Sequence, residues 1–236
     1  MTTIPTERSL AELVTSVPGA ARVFERHGLD YCCGGGQRLD VACRDRGVDP
    51  GEIIGELADL QTMPAPAWAT MGPAELVDHL EQTHHAYLHA EFPRLSALAT
   101  KVVGVHGARH PELTEVQAAF EAVRADLDPH LMKEEQVLFP MIRELAASAT
   151  APQFHCGSLA NPISVMLTEH DRAGELLARM RDLTDGYQTP PDGCASYRAL
   201  YDGLAELEAD THLHVHKENN VLFPAVVDLE AALPSR

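Results

Sequence analysis

No stretch of this chain is built for export or for spanning a membrane. The N-terminus, MTTIPTERSLAELV, has no basic start followed by an apolar stretch of secretory length. No apolar run reaches the roughly 18 residues that a membrane helix needs, so the sequence reads as a soluble, cytoplasmic protein. Positive charge is scarce: 18 Lys and Arg stand against 35 Asp and Glu, a formal net charge of −17. That excludes nucleic acid and anionic membrane as general partners, because both repel an acidic surface. Alternating β-branched runs are missing, so no strand pattern competes with helix. A disulfide framework is missing too. The five cysteines are an odd number, and Cys32 and Cys33 are adjacent, a poor geometry for a bond whose Cα atoms normally lie about 5.5 Å apart. Histidine is what the chain has in plenty: 13 residues, clustered between 79 and 89 and between 212 and 216.

The organisation is helical throughout. Residues 1–60 read as a small helical domain: Leu10, Leu13 and Val14 precede a break at Pro18-Gly19, and Ala20 to His27 forms a short helix that Gly28 caps. A third helix is expected from Arg38 to Arg46, and a fourth starts at Asp49-Pro50, a good N-cap and first-turn pair. Residues 61–72, rich in Pro and Ala, read as a linker. Residues 73–236 then carry four long stretches of helical periodicity, near 73–103, 111–147, 162–183 and 194–232. The expectation is an all-α protein, an up-and-down four-helix bundle after a small helical domain.

The bundle repeats itself. DPHLMKEEQVLFP at 128–140 and HVHKENNVLFP at 214–224 share His, a three-residue gap, Glu, and then VLFP. Residues four apart on a helix share a face, so His130 with Glu134, and His214 with Glu218, each present an imidazole beside a carboxylate. Upstream, His85 and His170 are separated by nearly the same offset. Each half thus offers one His and one His-x-x-x-Glu. Two halves facing one another would direct four imidazoles and two carboxylates at one interior point. Six such donors are too many for a four-coordinate zinc site and suit two iron or manganese ions. Divergence from an old duplication explains VLFP, which is core, but not the persistence of polar His and Glu. Pro140 and Pro224, at equivalent places inside the pattern, predict a built-in kink.

Register chooses among the other histidines. His84 sits about 100° from His85 around the helix, whereas His89 shares the face of His85 and is a supporting or alternative group. His212 and His216 lie roughly opposite His214 and are expected to face solvent. Glu135 has Asn219 as its counterpart and falls outside the shared set. Glu81-x-x-His84 is the only Glu-x-x-His here, where a ferritin-like di-iron site needs two.

HLMKEEQVLFPMI, NPISVMLTEHDRAGELL and HVHKENNVLFP, together with the N-terminal GLDYCCGGGQ, closely resemble the repair of iron centres (RIC) proteins over almost the whole chain. The resemblance implies a hemerythrin-like four-helix bundle behind a small domain with a vicinal cysteine pair. It implies a non-haem di-iron centre on His85, His130, Glu134, His170, His214 and Glu218, with the glutamates bridging and open positions left for an oxo bridge, water, nitric oxide or dioxygen. Oxygen-carrying hemerythrins add a fifth histidine four residues after the third-helix His, where this chain has Gly174.

The family's cysteine pair would be Cys32 and Cys33. YCCGGGQR places them ahead of a helix with Arg38 near, a setting that eases ionisation, and the resemblance implies thiol redox chemistry or transient contact with iron or a cluster. The structural alternative is that small residues simply pack the turn. Cys43 and His27 have no diagnostic spacing, and Cys156 and Cys194 read as incidental. Function then follows from the resemblance: repair of iron-sulfur clusters damaged by nitrosative or oxidative stress, with damaged iron-sulfur proteins as partners. Iron donation would make the protein a metallochaperone, nitric oxide reduction an enzyme, and stable ligand binding a gas sensor or store. Nothing in the sequence distinguishes a monomer from a homodimer.

Overall fold

The computed structural model describes residues 4–61 and 64–234. Those residues are all-α, and the single bridge between Ser9 and Arg38 is the only strand-like pairing among them. Among the described residues, no helix is long and apolar enough to cross a membrane. The chain divides into two compact units, residues 1–79, 142–154 and 212–236 in the first and 80–141 and 155–211 in the second.

The first unit opens with four short helices, α1 (Leu10–Ser16), α2 (Ala20–His27), α3 (Leu39–Arg46) and α4 (Pro50–Leu60). Their ends obey local chemistry. Ser9 caps α1 in a capping box with Glu12, each satisfying a backbone N–H that the helix leaves without a partner. Asp49 accepts from the Gly51 N–H with Pro50 at the first helical position. Gly28 ends α2 at φ 64°, a conformation that costs a side-chain-bearing residue about 1 to 2 kcal/mol. Leu10, Leu13, Phe24, Leu39, Ile53 and Leu57 form the core of the unit, and Val215, far along the chain, is part of it. A 3₁₀ turn (Ala67–Thr70) and α5 (Pro73–Leu80) follow.

The second unit is the bundle. Helices α6 (Ala86–His106), α7 (Glu112–Lys133), α9 (Ala160–Leu183) and α10 (Ala195–Lys217) close on one apolar core that includes Phe92 and Leu95 of α6, Phe120 and Val123 of α7, Leu177 of α9 and Leu204 of α10. Helix α8 (Phe139–Ala147) continues the second helical stretch and α11 (Phe223–Ala232) the fourth. Pro140 and Pro224 sit at the second residue of α8 and α11. Each is preceded by a five-residue π-helical segment, Glu134–Leu138 and Glu218–Leu222. Proline cannot donate to the carbonyl four residues back and its ring crowds that carbonyl. The chain widens here: the N–H of Phe139 donates to the Glu134 carbonyl, and that of Phe223 to the Glu218 carbonyl, each five residues back. The expected kink takes the form of a π-bulge.

Candidate metal centre

Both glutamates of the His-x-x-x-Glu repeat are the first residue of a π-bulge, and His85 is the last residue of a third, Glu81–His85. A π-bulge turns the backbone by less per residue than an α-helix does, so it re-aims a side chain relative to its helix neighbours.

In the second unit His85, His130, Glu134 and His170 are at most 1% exposed. The ligand atoms of His130, Glu134 and His170 all lie within 4.8 Å of one another, as do those of His85 and Glu134. Glu134 Oε2 is 3.3 Å from His130 Nε2 and 3.5 Å from His85 Nε2. His130 Nε2 and His170 Nε2 are 3.0 Å apart. The outer ring nitrogens are held from behind: Glu169 Oε2 lies 2.9 Å from His130 Nδ1, and Glu135 Oε1 2.9 Å from His85 Nδ1. A carboxylate on Nδ1 fixes the tautomer that presents the Nε2 lone pair inward and makes the imidazole a better donor.

Burial pushes the Glu135 and Glu169 carboxyls up, but their partners outweigh it and leave both below the usual carboxylate range. The partners are His89 and His85 for Glu135, and Lys133 and His130 for Glu169. Both are therefore charged at neutral pH. Glu135, set outside the shared group on sequence grounds, grips a candidate ligand, and His89 reaches the same oxygen at 2.8 Å, half-exposed. Neither Glu135 nor Glu169 was legible as a partner, although each directly adjoins a candidate ligand in sequence. His84 is buried on its own partner, Asp210, at 2.9 Å.

Glu134 makes the cluster suited to a cation. Its side chain is fully buried, yet neither carboxylate oxygen accepts a hydrogen bond among the described residues. Burying a carboxylate without hydrogen bonds costs several kcal/mol, and nearby imidazole nitrogens are the donor set that accompanies carboxylate around a transition metal. A buried His and Glu cluster of this kind can hold a metal ion.

In the first unit, His214 Nε2 lies 3.0 Å from Glu218 Oε1, with both residues at most 1% exposed. The flanking histidines correct the expectation from register. His216 is fully buried, its Nδ1 3.2 Å from the Tyr31 carbonyl oxygen and its ring edge-on to Tyr31 and Trp68. His212 is half-buried against Glu25, at 2.7 Å. A helix read as part of a bundle has one covered face, but here the N-terminal helices cover a second. Burial pushes the His216 imidazole down to about 4, against the opposing effect of the Tyr31 carbonyl, so it is neutral and donates Nδ1–H to that carbonyl.

The cysteine loop is tied to the same segment. Asn220 Nδ2 donates to the Cys32 carbonyl at 2.9 Å, and a Cβ on Gly35 would lie 2.5 Å from the Tyr31 carbonyl and 2.8 Å from Asn220 Oδ1. Asp30 organises the loop by accepting from the N–H groups of Cys32, Cys33 and Gly34 at 3.0 to 3.1 Å. The thiol setting differs from the expected one. Arg38, the N-cap of α3, is engaged by Asp40. The Cys32 thiol, hydrogen-bonded to Cys33, buried, and facing Asp30, is held well above the ordinary thiol range. Asp30, Cys32 and Cys33 still bring three ligand atoms within 4.8 Å.

These features define a class: an all-α protein whose helical bundle buries a His and carboxylate set suited to a cation. Residues 76–226 match the family model described as the Hemerythrin HHE cation binding domain, and residues 6–61 match ScdA_N, a domain of unknown function. The chain belongs to the hemerythrin HHE family. It is 39% identical to the Haemophilus influenzae protein named "Probable iron-sulfur cluster repair protein", across 94% of this chain and 97% of that one. It is 38% and 37% identical to the proteins named iron-sulfur cluster repair protein YtfE of Enterobacter sp. strain 638 and Escherichia coli O157:H7, across 92% of this chain and 96% of each.

Proposed function

We propose that this protein is a cytoplasmic di-iron protein that repairs damaged iron-sulfur clusters, by donating iron to them. Its two irons would be held by His85, His130, Glu134, His170, His214 and Glu218. The arrangement is a domain of residues 1–60, a linker over 61–72 and a metal-binding bundle over 73–236. The observation that carries this reading is Glu134, a fully buried carboxylate whose oxygens accept no hydrogen bond among the described residues and which lies among imidazole nitrogens. A dinuclear centre neutralises that charge, and the repeat supplies a second carboxylate at the equivalent register.

Six protein ligands would leave two iron ions with open coordination positions. Gly174, four residues beyond His170 in α9, adds none. The bound metal would supply exchangeable iron at an incompletely ligated centre. Glu135 and Glu169 orient the imidazoles and hold their outer protons. The names of the relatives point the chemistry towards iron-sulfur proteins as clients.

Iron analysis should return about two per chain. The reduced, iron-loaded protein, mixed with a cluster-damaged dehydratase, should restore that enzyme's activity while losing its own iron. Restoration without loss of iron, accompanied by nitrous oxide evolved from nitric oxide, would make it a reductase. A stable complex with nitric oxide or dioxygen and neither activity would make it a sensor or store.

A further inference from the structure

Cys194 stands just before α10 with an exposed side chain. Its carbonyl accepts from the Arg198 N–H at 3.0 Å, which makes it the N-cap of a 23-residue helix, whose first-turn N–H groups have no intrahelical partner. Opposite it His106, the last residue of α6, places Nε2 3.1 Å from Sγ. His106 is 4% exposed, and its Nδ1 is buried with no hydrogen-bond partner among the described residues. The Tyr197 ring packs edge-on against the imidazole with centroids 5.3 Å apart.

The buried nitrogen decides the tautomer. An N–H buried without an acceptor is costlier and rarer than an acceptor without a donor, so Nδ1 keeps its lone pair and the proton sits on Nε2. Nε2–H then donates to the sulfur. The His106 N–H and the N-terminal end of α10 meet at one exposed sulfur atom, a setting that a thiolate satisfies and that a thiol, with a hydrogen of its own, fills less well. The backbone N–H of Tyr197 first, and then His106, bring this thiol down to about 7, against a smaller opposing effect of burial.

We propose that Cys194, with His106 as its positioning residue, is a reactive thiolate site that hydroperoxides oxidise to sulfenic acid. The sulfur attacks one peroxide oxygen as the O–O bond breaks and an S–O bond forms. Sulfur loses two electrons, the departing oxygen gains them, and that oxygen takes a proton from water to leave as water or an alcohol. The titratable groups around the pair are His110 and Arg109 just beyond α6, Glu112 at the start of α7, Asp192 in the loop before α10, and Tyr197 and Tyr201 within it. His110 is engaged by Asp192 and Glu112, at 3.0 Å each, and Tyr197 pairs with Tyr201.

The site can be tested on the full-length protein as isolated, by iodoacetamide labelling and by peroxide pulses with dimedone, each resolved by peptide mass spectrometry. Near neutral pH, Cys194 should label about tenfold faster than Cys156 and should dominate the dimedone adducts. His106→Asn should slow Cys194 several-fold and move the midpoint of its labelling profile to higher pH, with the helical circular dichroism retained. Labelling of Cys194 no faster than Cys156, or an unchanged midpoint in His106→Asn, would overturn the proposal. Should His106→Asn fail to fold, the profile of the unsubstituted protein decides it. A midpoint near pH 7 supports the site, and one in the ordinary thiol range above about 8 removes it.

Discussion

Glu135 Oε1 lies 2.9 Å from Nδ1 of His85, and the residue before it in sequence, Glu134, faces Nε2 of the same ring at 3.5 Å. Two adjacent glutamates therefore address opposite sides of one imidazole. The π-bulge that begins at Glu134 is the local geometry in which both reach it.

Removing Glu134 should affect the metal-free and metal-loaded proteins in opposite directions. Glu134→Gln replaces a buried carboxyl group whose oxygens accept no hydrogen bond among the described residues, so the metal-free variant should gain roughly 1 to 3 kcal/mol in thermal or urea unfolding. It should also fail to acquire the visible absorption expected of the proposed oxo-bridged ferric centre, as should Glu218→Ala. A metal-free Glu134→Gln protein that is clearly less stable than its parent would contradict a site built for a cation.

The outer carboxylates should tune affinity without deciding whether metal binds. Glu135→Gln and Glu169→Gln each replace a charged partner of a ring Nδ1–H with a neutral one, and iron affinity should fall about 10- to 100-fold in a competitive chelator titration. Fold and absorption should survive in the saturated protein. An unchanged affinity in both variants would mean that the imidazoles are fixed by packing alone.

His216→Ala separates the buried histidine from the candidate ligands. The variant should keep the absorption of the proposed ferric centre and lose about 2 to 4 kcal/mol of stability, because it removes the His216 hydrogen bond to the Tyr31 carbonyl and leaves a void beside Tyr31 and Trp68. Loss of the absorption in a folded His216→Ala protein would make His216 part of the metal site.

Gly35→Ala probes the seat of the cysteine loop. The added Cβ meets the Tyr31 carbonyl and Asn220 at under 3 Å, so the loop must shift at a cost of about 1 to 3 kcal/mol. The thiol of Cys32, now 5% exposed, should label faster with a maleimide as its cover loosens. An unaltered labelling rate and melting temperature would show that the loop absorbs the methyl group without moving.

Much of the secondary structure is local in origin, and the sequence displays it. Asp49-Pro50, Gly28 and the periodic leucines carry their own start, stop and facing signals, and α2 and α4 lie where those signals put them. The six candidate ligands come from repetition, which is also written in order along the chain. Register on a single helix, however, says nothing about a second covered face. It sent His216 to solvent, whereas Val215 and His216 pack with the N-terminal helices.

Sequence by itself determined the helices, the duplicated His-x-x-x-Glu and the family resemblance, because backbone capping and helical periodicity depend on residues a few positions apart. Only tertiary structure decided which carboxylate stands behind which imidazole, that Cys32 meets Asp30 instead of a helix N-terminus, and that Cys194 meets His106 from 88 residues away. Hydrogen bonding and burial are set by which elements share a core, and the chain between two partners places no constraint that can be read in either one's neighbours.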